Sequence, residues 1–143
     1  MCIRDSLLAV ALGVALPACV NSTSERPKHE DVSKLAITLD KGEKWKVNEE
    51  MMPFVRNIEK DVNDFPGTGQ KDYKSLASSI QKNIDQLVSS CTMEGKGHDE
   101  LHKWLLPFID TVKALSKANN DVEAAAQFEN VRAAMVVFNQ YFE

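Results

Sequence analysis

From residue 49 onward, apolar residues recur every three or four positions in four separate runs, the spacing of helices that each bury one face. The first run, Met51, Val55, Ile58, Val62 and Phe65, follows Asn48 as its cap and stops at Pro66-Gly67. Pro53 falls in its opening turns, where most N–H groups lack helical partners and proline costs little. The second run starts from Asp72 and carries Tyr73, Leu76, Ile80, Ile84, Leu87 and Cys91 on one stripe. The third is expected to begin near His98 and presents Leu101, Leu105, Phe108, Val112 and Leu115, with Pro107 predicting a kink. Asn120-Asp121-Val122-Glu123 is a capping-box pattern for the fourth, which carries Phe128, Val131, Met135, Phe138 and Phe142. Connections of about four to seven residues favour antiparallel neighbours, so the expected fold is all-α, an up-down-up-down four-helix bundle.

Ahead of the helices the pattern changes. Ile37-Thr38-Leu39, then Asp40-Lys41-Gly42, then Glu43 to Val47 reads as a short extended pair around a turn, or as an extended arm laid on the bundle. In either case Trp45 and Val47 share a side and should pack on the helices. Residues 20 to 32 are rich in Ser, Thr, Glu, Lys and Pro and have too few apolar groups to order themselves; His29 lies among them.

Leu7 to Ala18 is apolar, but about a dozen residues fall short of the ~20 that span a bilayer, so it reads as the apolar region of a secretory signal. Leu16-Pro17-Ala18-Cys19 resembles the bacterial lipobox, in which the cysteine is diacylated and becomes the mature N-terminus. The first six residues resemble a translated sequencing adapter. The expected organisation is a signal peptide over 1–18, a flexible tether from lipidated Cys19 over 19–34, and a bundle domain over 35–143. Lipid on Cys19 would make the membrane a partner through more than one acyl chain. Val20 stands where an inner-membrane retention aspartate would, which favours the outer membrane.

Net charge changes the picture by exclusion. At −4, with no Lys/Arg cluster to neutralise phosphates, nucleic acid is not expected as a partner. Of three cysteines, Cys2 leaves with the signal and Cys19 is lipidated. Cys91 is left alone, so no disulfide framework exists. Burial is the ordinary explanation for such a thiol.

The candidate chemistry sits between the second and third runs, in Cys91-Thr92-Met93-Glu94-Gly95-Lys96-Gly97-His98-Asp99-Glu100-Leu101-His102. An antiparallel bundle brings the start of helix one, the end of helix two, the start of helix three and the end of helix four to the same end. Met51, Met52, Cys91, Met93, His98, His102 and, less closely, Met135 therefore gather there. Gly95 and Gly97 let the connection fold tightly. Thiolate and thioether favour Cu(I), and thiolate with imidazole also suits zinc. His98 and His102, four apart on a helix, share a face and can reach one ion, as in His-Glu-x-x-His. Asp99 is a methylene shorter than the glutamate base of that motif, and no third histidine follows, so a zinc hydrolase is disfavoured and no catalytic residue is assigned. The competing reading is that these side chains only pack and cap.

Gly42-Glu43-Lys44-Trp45-Lys46-Val47-Asn48, the pattern Cys91-Thr-Met-x-Gly-x-x-His98-x-x-Leu101-His102-x-x-Leu105-x-Pro107 and the ending Tyr141-Phe142-Glu143 resemble a family of small secreted bacterial proteins with no established activity. The resemblance implies a helical bundle outside the cytoplasm with a Cys-Thr-Met and two-histidine centre at one end. Some members carry further histidines where this chain has Phe54, Leu106 and Phe108, which argues against a multi-histidine site here. The bundle is also similar to the periplasmic cytochromes, but without Cys-x-x-Cys-His covalent c-type haem is excluded. Noncovalent haem on Met51 or Met52 and His98 is a lesser alternative. The functional expectation is a cell-envelope lipoprotein, not an enzyme, that binds a soft transition metal, copper before zinc, for buffering, sensing or transfer. The ligands would come from Cys91, His98, His102, Met93, Met51 and Met52. A structural or interaction lipoprotein with no metal is the alternative.

Overall fold

The computed structural model describes residues 36–66 and 72–143. The signal segment and the whole tether, with Cys19 and His29, lie outside the described residues. Four helices follow in order: α1 (Met52–Asp64), α2 (Tyr73–Ser89), α3 (Gly95–Lys117) and α4 (Asp121–Tyr141). Each packs extensively on the next in sequence, whereas α4 touches α1 only slightly, so the four-helix bundle is open along one seam. The stripes read from the sequence are the core: Val55, Ile58, Ile80, Ile84, Leu87, Leu101, Phe108, Val112, Leu115, Val131 and Phe138 are all essentially inaccessible. No described helix is long and apolar enough to cross a membrane.

The helix ends differ from expectation in instructive ways. Asn48 does not cap α1 with its side chain. Its backbone carbonyl accepts from the Met51 N–H at 2.9 Å, while its side-chain amide donates to the Thr92 hydroxyl on the α2–α3 connection. Asp72 and Asn120 do cap, accepting at 2.9 Å from the N–H groups of Ser75 and Glu123. The capping box is shifted by one residue, because the Glu123 carboxylate turns back to the Asn119 N–H at 3.0 Å rather than to Asn120. Helix α3 starts at Gly95, three residues before His98, and runs unbroken through Pro107.

The arm is extended, and its strand pairing is brief. Asp40 and Glu43 form one antiparallel bridge across a turn whose central residues, Lys41 (φ 53°) and Gly42 (φ 95°), are both left-handed. The next partner is the far end of the chain. Trp45 bridges in parallel to Phe142, with hydrogen bonds of 2.9 Å from the Trp45 N–H to Tyr141 and from the Glu143 N–H to Trp45. Trp45 and Val47 are buried and Lys44 and Lys46 exposed, the alternation of an extended segment lying on a core.

Candidate functional site

The arm, the α2–α3 connection, the first turns of α3 and the end of α4 meet at one end of the bundle. Gly95 opens α3 with φ 74°, a conformation in which a side chain would be strained. Gly97 has a different role from the one expected. It lies inside α3, where an added β-carbon would come within 3.1 Å of Cε3 of Trp45 and 3.7 Å of the Met93 methyl. Its missing side chain is the seat of the indole. The Trp45 ring N–H donates to the Thr38 carbonyl at 2.5 Å, and the Lys96 ammonium lies 5.9 Å from the ring centre.

Glu100, not singled out by the sequence reading, completes this docking. Its carboxylate is 3% exposed, accepts from the Thr38 N–H at 2.8 Å and pairs with the Lys103 ammonium at 2.7 Å. Burial alone would raise its pKa, but the hydrogen bonds from Lys103 and Thr38 outweigh burial and hold it below the ordinary carboxylate value. The signal was present in the pattern. Gly97, Leu101 and Trp104 mark a face of α3 at four- and three-residue steps, and Glu100 lies on its margin.

The side chains expected at this end divide into four groups. Met51 is wholly enclosed in the core and Met52 half-buried against it, so both act as packing residues of the α1 start. Met135 is buried in the middle of α4, beside Val62 and Glu59 of α1. Met93 is half-buried beside Trp45, and Cys91 is a free, half-buried thiol packed against the core. His98 and His102 do come together. Their ring centres are 4.2 Å apart, one ring edge-on to the other at 63°, and neither has a hydrogen-bond partner among the described residues. Burial lowers the His102 pKa below the ordinary imidazole value. The charge on His98 lowers it further, and Asp99 opposes the shift in part.

Among the described residues, no three His, Cys, Asp or Glu side chains converge on a point that could hold a metal ion. Cys91 therefore does not form a ready three-ligand group with the two histidines, although the chain places it at the same end. The short connection is engaged elsewhere: the Thr92 hydroxyl accepts from Asn48, and the Met93 methyl borders Gly97. No family model, curated protein or solved structure matches this chain. Two adjacent imidazoles, one biased toward the neutral form, share a face of α3, with a thiol and a thioether on the segment leading into the same helix.

Proposed function

We propose that this chain is a lipid-anchored cell-envelope protein that binds a soft or borderline transition-metal ion, copper before zinc, at His98 and His102, for buffering, sensing or transfer. The carrying observation is the histidine pair: two rings in contact on one face of α3 and without hydrogen bonds among the described residues. Both rings are half-buried, and their nitrogens, without partners among the described residues, are open to solvent and so accessible to an ion. Two imidazoles leave coordination positions open, and Cys91 and Met93 are soft donors that incline the site toward Cu(I). An ion held by so few protein ligands exchanges more readily than one in a closed four-ligand cage, as buffering or transfer requires.

Competition titrations with Cu(I) and Zn(II) test the reading. One ion should bind per chain, with His98→Ala and His102→Ala each weakening affinity at least tenfold, about 1.4 kcal/mol. Cys91→Ser and Met93→Leu then report whether sulfur joins the site. Affinity in wild type no better than in the His98→Ala/His102→Ala double variant would refute it.

A second reading, a structural or interaction lipoprotein without metal, is favoured by a separate observation. Thr92, Gly97 and Glu100, a quarter of the residues from 91 to 102, hold the arm. Failure of the titration would leave that role as the reason for the motif.

A further inference from the structure

Helix α4 differs from the other three in having almost no polar-to-apolar asymmetry around its axis. Its apolar residues are spread round the axis among Glu, Gln, Asn and Arg instead of being gathered on one face. Its outward side bears Val136 at 68% exposure and Val122 at 82%, with exposed Ala126 and Ala133 between them. Positions 122, 126, 129, 133, 136 and 140 step by four and three residues, the spacing of a helix-packing seam. The seam borders a shallow groove between α1 and α4, lined by Glu59 and Val62 of α1 and by Arg132, Ala133 and Val136 of α4, at whose end Asn139 ties the helices by accepting from Arg56 at 3.0 Å and donating to Glu59 at 2.6 Å.

We propose that a second copy of this chain docks on this seam, its α4 antiparallel to the first. The charges select that occupant. Glu129 and Arg132 form a 3.2 Å ion pair at the middle of the seam, and both are more than half exposed. A two-fold axis near residue 131 lays Ala126 against Val136 of the second copy and Ala133 against its Glu129. Arg132 of each copy then passes the other's Glu129, so each cation gains a second carboxylate in two equivalent places at once, the self-complementarity of an isologous contact. A single-signed surface such as an anionic membrane would oppose one of the two charges. The small side chains at 126 and 133 let the helix backbones approach closely, and the valines fill the flanks.

This inference does not depend on the metal reading. Sedimentation equilibrium of the full chain in detergent micelles is the test, with variants whose unchanged helical circular dichroism shows that the exposed sites were altered without unfolding. The wild-type chain should show a monomer–dimer equilibrium. Val136→Arg and Glu129→Arg should each weaken it at least tenfold, the latter by placing like charges across the axis. The double variant Glu129→Arg/Arg132→Glu should restore association to within a few-fold of wild type, because the swap recreates the opposite-charge pairing. A wild-type chain that stays monomeric at about 100 μM would overturn the proposal. So would a dimer insensitive to Val136→Arg and Glu129→Arg, or a charge swap that fails to recover.

Discussion

The seat of Trp45 on Gly97 makes a prediction in which one substitution changes sign with its background. Gly97→Ala brings two opposed effects. Alanine is favoured over glycine inside a helix by about 0.8–1.0 kcal/mol, somewhat less in a first turn. Against that, the new β-carbon would lie 3.1 Å from the indole, and a comfortable contact requires the ring to retreat by several tenths of an ångström. The ring is not free to do so. Its N–H is tied to Thr38, and its backbone is bridged on both sides to residues 141 and 143. Overpacking of this kind costs about 1–3 kcal/mol, so the net effect in wild type should be a loss of about 1 kcal/mol.

Trp45→Ala removes the obstacle together with a large apolar body. Deleting a buried aromatic costs about 3–5 kcal/mol, and the lower end applies here because the vacated seat opens toward solvent at the arm and need not remain an empty cavity. In that background Gly97→Ala should stabilise by about 0.5–1 kcal/mol, since only its helix preference remains. Urea unfolding of the four proteins followed by circular dichroism, with unchanged slopes, gives the cycle. If Gly97→Ala has the same sign and size in both backgrounds, the glycine is not there for the indole.

Folding depresses the pKa of both Glu100 and His102, so the unfolded chain binds more protons and stability must fall on acidification. The His102 contribution is complete above the ordinary value of 6.5 and is lost as pH drops through its lower folded value; the Glu100 contribution goes the same way, below 4.5. Unfolding midpoints against pH should therefore decline in two stages, with His102→Gln flattening the upper and Glu100→Gln the lower, and a profile unchanged by either variant would contradict these assignments. Cys19 should carry acyl chains in a bacterial host, shown by intact mass of the mature protein; a mature N-terminus elsewhere, or at Cys19 with no added lipid mass, would exclude the anchor.

The bundle was legible because its information is periodic and redundant. Each stripe offers five or six apolar positions, and moving one would leave the face intact. Single contacts carry no such redundancy. Asn48 looks like a cap from its neighbours in sequence, yet its side chain is taken by Thr92, 44 residues away. The hairpin expected around Gly42 stops after one bridge because the following residues find a better partner in the C-terminal segment, a pairing that no local pattern announces. Antiparallel topology brings Cys91, Met93, His98 and His102 to one end. Which of them face one another depends on the rotation of α3 and on the connection, where Thr92 is bonded to Asn48 and Met93 borders Gly97.

That rotation also explains how one short motif can serve two purposes. Taking Leu101 as the centre of the buried face, Gly97, Glu100 and Trp104 lie on one flank and His98 and His102 on the other, at about 100° per residue. The first flank meets the arm and α4: Gly97 seats the indole, Glu100 holds Thr38, and the Trp104 ring N–H donates to the Ala134 carbonyl at 2.7 Å. Every polar group on that flank is satisfied, and removing one would loosen the arm. The second flank carries two imidazoles that make contact with each other and with no hydrogen-bonding group of the described chain. Packing and docking therefore account for one side of the helix start, while on the other the two imidazoles are half-buried with their ring nitrogens open to solvent. The proposed metal binding accordingly rests on the histidine pair rather than on the cysteine or the methionines.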